Sequence, residues 1–336
     1  MNNHEQTRLT SSELSAVWSS YMNNSFSACV MKYFLNNVDD KQTKQVVQLS
    51  LDISEQTMSI ARKLLETDNQ PIPIGFTDDD VTVNAPRLFS DAFYLYYLKN
   101  MAKVGLSVYG VALSTAAKDD VRQFLSNAIK ESTDLYNETA EVLLEKGLYV
   151  RSPYVTTSDH TEFIHDKDYL GSMFNLQHKN RPLNVIEITH INANVEANQI
   201  GSALLTGFAQ VAESEIVKKY CKRGKEIAKK HVKVFAELLT GNDLPAPMPW
   251  DIEVTDSEVS PFSDKLMVFH TSLINASSIS NYATSSAASL RADVATTYVR
   301  LMTEAAVYAK DGFDLMIKKE FLEQPPQSPD RAKSKH

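Results

Sequence analysis

The sequence is poor in several residue types, and each shortage removes a class of protein. Two cysteines, Cys29 and Cys221, in 336 residues cannot build a disulfide framework. A reducing, cytoplasmic setting is the default for such a chain. No apolar run approaches the roughly 18 residues a membrane span needs, and the polar start "MNNHEQTRLTSSE" offers no secretory signal. Positive charge is not in excess: net charge is −8 and the sequence pI 5.5. A nucleic-acid binder relying on a basic surface is therefore not expected. Glycine is scarce, at 10 residues, and the phosphate-loop, dinucleotide-loop, nucleophile-elbow and paired-cysteine motifs are all missing.

What the sequence does contain is a repeat. Shifted by 174 residues, Glu13 falls on Glu187, Asn24 on Asn198, Phe34 on Phe208 and Asp52 on Glu226. The segment "LLETDNQPIPIGF" at 64–76 meets "LLTGNDLPAPMPW" at 238–250, where one residue is lost and the shift becomes 173. Phe89-Ser90-Asp91 then meets Phe262-Ser263-Asp264, Tyr109 meets Tyr282, Asp120 meets Asp293, Glu131 meets Glu304 and Pro153 meets Pro326. A period this long marks a duplicated domain, not a solenoid repeat of about 20–50 residues.

Within each copy the apolar spacing is helical, as in Tyr220, Gly224, Ile227, His231, Val234 and Leu238. Thr10 with Glu13, and Asn184 with Glu187, have the spacing of capping boxes. Helices are expected over 11–36, 40–66, 88–115 and 119–147, and again over 184–210, 213–240, 261–288 and 292–320. The first and third connections of each copy are a few residues long and demand antiparallel hairpins. The middle connection of about 20 residues can run the length of a roughly 40 Å helix. Short–long–short connections are those of a ferritin-like bundle. The expected fold is all-α: two tandem ferritin-like four-helix bundles, each with a long crossover between helices two and three. The expected domains are 1–150 and 184–322, with a linker at 151–183 and a disordered tail at 323–336.

The long segments "RPLNVIEITHINANVEANQIGSALLTGFAQVA", "RGKEIAKKH" and "SPFSDKLMVFH" of the second copy resemble a bacterial family known only as domain of unknown function 3231. So do "NAPRLFSDAFYLYYLKNMAKVGLSVYG" and "LLEKGLYVRSPY" of the first. The family is familiar from Bacillus-type spore formers and is loosely similar to spore coat F proteins. The resemblance covers nearly the whole chain. It implies tandem ferritin-like bundles, with a forespore or spore-associated setting, and supplies no catalytic residues or established activity.

The residues themselves narrow the chemistry. A dinuclear carboxylate site needs Glu from two helices and Glu-x-x-His from two more. Helix three has no acid between Asp91 and Asp119 or between Asp264 and Asp293, so that site is not expected. A mononuclear zinc or iron site is conceivable in the second copy, with Glu187, His190 and His231 as ligands. The competing reading makes the two histidines hydrogen-bonded core residues, since the first copy has Ala16 and Thr57 in their places. His160, Glu162, His165 and His178 have ligand-like spacing but sit in the linker. His270 faces Tyr97 in the alignment and is expected far from His190 and His231. Asp91, Asp264, Asp120 and Asp293 fit first-turn positions favoured by the helix dipole. Asp52/Glu226 and Glu131/Glu304 are either facing polar core members or surface residues. Phe93, Tyr94, Tyr96, Tyr97 and Tyr109 could line a pocket for an apolar small molecule, or simply fill the core. The expectation is a non-enzymatic structural or interaction protein that binds a protein partner or itself, with no resident cofactor. The alternatives are a metal-binding or oxidoreductase protein and a carrier of an apolar ligand. The two copies are expected to pack about a pseudo-twofold, as a fused stand-in for a homodimer.

Overall fold

The computed structural model describes residues 8–172, 181–248 and 253–329. Its helices are α1 (Ser11–Asn37), α2 (Lys41–Thr67), α3 (Asp91–Leu113) and α4 (Asp119–Glu145) in the first copy. The second has α5 (Val185–Val211), α6 (Glu215–Thr240), α7 (Asp264–Ala288) and α8 (Ala292–Lys318). Each set of four forms a bundle of two hairpins, α1–α2 with α3–α4 and α5–α6 with α7–α8. Among the described residues, no helix is long and apolar enough to cross a membrane.

Matched carboxylates fix the topology at both ends of each bundle. The expected capping boxes are present: Thr10 and Glu13 start α1, and Asn184 and Glu187 start α5. Glu13 Oε1 also accepts the backbone N–H groups of Ala117 (2.9 Å) and Lys118 (2.7 Å) in the α3–α4 turn. Glu187 Oε1 does the same for Leu290 (3.1 Å) and Arg291 (2.8 Å) in the α7–α8 turn. The start of the first helix therefore lies beside the end of the third, which is antiparallel to it. Asp91 closes the opposite end. It accepts the N–H groups of Asp39 (3.4 Å) and Asp40 (2.8 Å), and Asp264 accepts those of Glu213 (3.1 Å) and Ser214 (3.0 Å). The role expected for these aspartates was local to their own helix. Their larger effect is to tie helix three to the turn between helices one and two. The long crossover thus runs the length of the bundle, as its reach allows.

Helices α3 and α7 begin three residues later than the spacing predicts. Ser90 and Ser263 are their N-caps, and the residues just before them pair with the other copy. Val81 bridges Phe262, and Phe89 bridges Val254, both antiparallel. Thr82 N–H donates to Pro261 O (2.8 Å) and Ser263 N–H to Asp80 O (3.0 Å). Thr255 N–H donates to Leu88 O (3.0 Å) and Ser90 N–H to Glu253 O (3.1 Å). Under the shift of 173 each bond in the first pair becomes one in the second. The two crossovers therefore meet about a pseudo-twofold axis. On that axis Tyr97 hydrogen-bonds its own counterpart, His270, through Nε2 at 3.0 Å.

One hydrophobic core runs through the junction. It joins Phe26, Phe34, Phe93 and Tyr97 of the first copy to Phe208, Phe262 and Met267 of the second. A smaller core fills the far end of each bundle, around Val17 and Phe124 in one and around Phe235 and Tyr298 in the other. The duplication is not perfectly symmetric at the junction. Phe262 packs edge-on against Tyr33, whereas its counterpart Phe89 packs over Gly207, where a Cβ would lie 2.6 Å from the ring.

The segment past α8 is held at its start. The Glu323 carboxylate accepts the N–H groups of Ile74 (2.8 Å) and Gly75 (3.0 Å) in the first crossover. Residues 330–336 of the expected tail, and His178 of the linker, lie outside the described residues.

Candidate functional site

Inward polar residues converge at mid-bundle, one from each helix, and the asparagine, tyrosine and glutamate among them are shared by the two copies. In the second bundle they are Asn198 on α5, His231 on α6, Tyr282 on α7 and Glu304 on α8. Asn198 Nδ2 lies 2.8 Å from the Tyr282 hydroxyl, which lies 2.9 Å from His231 Nδ1. His231 Nε2 lies 3.2 Å from Glu304 Oε2, and Lys230 Nζ approaches both Glu304 oxygens at 2.9 Å. Burial pushes the His231 pKa down, against the pull of the Glu304 carboxylate. Burial acts upward on Glu304, but hydrogen bonds from Lys230 and His231 outweigh it and hold its pKa below the usual value. An ionised carboxylate only accepts, so a neutral His231 must donate from Nε2. Its Nδ1 then accepts from Tyr282, and Tyr282 accepts from Asn198. In the resulting chain, Asn198 to Tyr282 to His231 to Glu304, the single Tyr282 proton serves His231 and not Asn198 Oδ1, which lies 3.0 Å from the same hydroxyl.

The first bundle carries a weaker version. Asn24 Nδ2 donates to the Tyr109 hydroxyl at 3.0 Å, and Thr57 Oγ1 to Glu131 Oε2 at 3.4 Å. Its Lys130 turns to Asp134 instead, and burial raises the Glu131 pKa. The exchange of Thr57 for His231 thus links two pairs into one chain. Asn24/Asn198 and Tyr109/Tyr282 were legible as repeat markers, but not as partners of Thr57/His231 and Glu131/Glu304. Agreement between the copies at inward polar positions was the signal. Asp52 and Glu226 take no part: both are exposed, and Asp52 accepts from Gln48 at 2.8 Å.

A cavity of about 60 Å³ adjoins the chain, lined by Asn198, His231, Tyr282, Asn275, Ile227 and, from the first bundle, Tyr97. It has room for a few waters. Outside the cluster, Arg223, Glu226, Lys230, Glu304 and Val307 line an open trough between α6 and α8. Glu304 therefore stands between the core and the surface. The arrangement can hold a neutral imidazole and an ionised carboxylate in fixed orientation, with the tyrosine kept protonated by burial.

The candidate metal residues are placed separately. Glu187 is fully buried, and its two oxygens receive Arg181 (2.9 Å to each of its oxygens from two guanidinium nitrogens) besides the backbone donors. Burial works upward on its pKa, but Arg181 and the backbone donors hold it low. His190 is half-buried and bonds Ser285 through Nδ1 at 3.3 Å. His231 is engaged as described, one helical turn from Ser285 at Tyr282. Among the described residues, no three His, Cys, Asp or Glu side chains gather where they could hold a metal ion. In the linker, exposed His160 is held by Asp159 and Glu162, each at 2.7 Å, and these bonds raise its pKa. His270, fully buried against Phe26, Tyr97 and Phe208, has its pKa pushed down to about 3 by burial. Phe93, Tyr94, Tyr96 and Tyr97 are at most 2% exposed and fill the core. Cys29 and Cys221 are buried free thiols with pKa pushed up to about 12, chiefly by burial.

The sequence matches a family described as "Protein of unknown function (DUF3231)" over residues 1–160 and again over 171–333. The chain belongs to this family. The two matches correspond to the two copies of the repeat. No curated protein matches. A solved structure described as a "putative spore coat protein" from Bacillus halodurans C-125 is similar at 17% identity with a TM-score of 0.42. It covers 46% of this chain and 100% of its own.

Proposed function

We propose that this member of the DUF3231 family is a non-enzymatic structural or interaction protein, a fused pseudo-dimer that presents two four-helix bundles in one fixed relation. The observation that carries this reading is the reciprocal pairing of the crossovers, Val81 with Phe262 and Phe89 with Val254. That pairing and the shared core behind it join the bundles as subunits of a permanent dimer are joined. The polar groups at mid-bundle bond one another in a single chain across all four helices, which favours a role in specifying the packing. The setting we propose is sporulation in a Bacillus-type bacterium, on the likeness of the sequence motifs to that family. The test is native mass spectrometry of protein purified without chelators or a histidine tag. The polypeptide mass alone is expected. A stoichiometric small molecule or metal would overturn the reading.

A zinc or iron protein using Glu187, His190 and His231 is the competing reading. The observation in its favour is that only the second bundle has histidines at these positions. Metal analysis of the wild type and of His231→Ala decides it, since bound metal must fall in the variant. The carrier reading needs an apolar molecule small enough for a cavity of about 60 Å³ with asparagine, histidine and tyrosine in its wall.

A further inference from the structure

Helices α4 and α6 carry opposite and matching charge. α6 has eight Lys and Arg against three Glu, and α4 has seven Asp and Glu against two basic residues. On α6, Lys218, Lys222, Lys225 and Lys229 recur at steps of four, three and four. On α4, Asp134, Glu138, Glu141 and Glu145 recur at the same steps. Such steps place each set along one face of its helix, over about 16 Å at 1.5 Å per residue. The basic face lies away from the buried row Val217, Cys221, Gly224, Ala228 and His231, and the acidic face away from Leu135, Thr139, Val142 and Leu143. The four acids are exposed, as are Lys222 and Lys229, while Lys218 and Lys225 are half-exposed.

Local pairing neutralises these faces only in part. Lys218 meets Glu215 and Asp134 meets Lys130, and Glu145 accepts from Gln42. Lys222, Lys225, Lys229, Glu138 and Glu141 have no ion pair among the described residues, and no ion pair there joins α4 to α6. The stripes are not products of the duplication either. The counterparts of the basic set on α2 are Lys44, Gln48, Leu51 and Glu55. Those of the acidic set on α8 are Val307, Asp311, Asp314 and Lys318. Each chain therefore has one basic stripe, on the second bundle, and one acidic stripe, on the first.

We propose that the partner of the α6 stripe is the α4 stripe of a second copy of this chain. The spacing four–three–four reads the same in both directions, so the charges register whether the two helices run parallel or antiparallel. A contact between unlike surfaces leaves a free stripe on each molecule and continues into a ring or a filament. Its attraction comes from exposed charges and is screened by salt. This proposal rests on the interaction reading above and gives it a partner and a geometry.

The test uses the full chain in sedimentation velocity at about 20 mM and about 500 mM salt, where the Debye length is roughly 20 Å and 4 Å. Association is expected at low salt and loss of it at high salt. Lys222→Glu/Lys225→Glu/Lys229→Glu and Glu138→Lys/Glu141→Lys/Glu145→Lys, each alone, should associate about tenfold or more weakly than the wild type. Their equimolar mixture should recover association, because the acidic α6 of the first variant faces the basic α4 of the second, and each variant's other stripe is matched likewise. Circular dichroism confirms that both variants keep the helical fold. A mixture that fails to recover, or variants that associate like the wild type, would sink this contact while leaving other self-association open to the interaction reading. A wild type that stays monomeric at low salt but binds phosphatidylserine vesicles or duplex DNA through the three lysines also overturns it, in favour of an anionic surface.

Discussion

At the scale of single residues, the two copies show how one substitution rewires a buried network. His231 can both accept from Tyr282 and donate to Glu304, whereas Thr57 in the first bundle reaches only Glu131. His231→Ala should cost about 1–3 kcal/mol, because it removes a buried side chain and two hydrogen bonds, although Tyr282 keeps Asn198 and Glu304 keeps Lys230. His231→Thr should cost less and should raise the Glu304 pKa toward the behaviour of Glu131. Carboxyl titration by NMR on the two variants checks both expectations. Lys99 and Glu196 form a second buried unit, an ion pair between the bundles with Lys103 at 3.3 Å from the other Glu196 oxygen. Burial lowers the Lys99 pKa against the pull of Glu196. Under the repeat their counterparts are Ser272 and Met22, so the pair exists on one side of the axis only. Lys99→Met alone should destabilise by less than the roughly 3–5 kcal/mol of an orphaned buried charge, because Lys103 remains on Glu196, and Lys99→Met/Glu196→Met should recover most of that loss. Denaturant unfolding of the single and double variants measures the difference.

At the scale of elements, the carboxylate staples explain why four long helices adopt one topology. Glu13 joins α1 to the α3–α4 turn, and Glu187 joins α5 to the α7–α8 turn. Burial acts upward on Glu13, but donors from Lys118, Thr10 and Ala117 hold its pKa at about 2, against an ordinary 4.5. A carboxyl depressed in the folded state contributes stability that is complete above its unfolded pKa and is lost as pH falls through the folded one. The contribution of Glu13 is therefore full above pH 4.5 and disappears as pH falls toward about 2. Glu187 contributes with the same sign. Glu13→Gln should lower stability at neutral pH and flatten its fall across that acid window, as followed by thermal melts against pH. Capping boxes and helix spans were legible because they rest on local spacing. The second use of each carboxylate was not, because its donors lie more than 100 residues away.

At the scale of the whole molecule, the bundles should unfold together. The core that includes Phe89, Phe93, Phe208 and Phe262 belongs to both, so opening one exposes the apolar surface of the other. A single denaturant transition, coincident by fluorescence and circular dichroism, is the expected result. Gly207→Ala probes the junction directly. A Cβ there would sit 2.6 Å and 2.7 Å from Phe89 ring atoms and 3.2 Å from Leu88, both fully buried side chains. The overlap should cost about 1–3 kcal/mol, exceeding the roughly 1 kcal/mol that alanine gains over glycine in a helix. A variant more stable than the wild type would refute the tight packing of Phe89 on α5.

The sequence by itself determined the duplication, the eight helices and the long crossover, because periodicity, capping and loop length act over short separations along the chain. It also carried the matched charge steps of α4 and α6. Only the tertiary structure decided that Tyr97 meets His270, that Asp80 pairs with Ser263 and Glu253 with Ser90 across the axis, and that Glu187 and His231 have other partners than each other. Those contacts join residues far apart in sequence, and their partners are set by how two helical surfaces fit together in space.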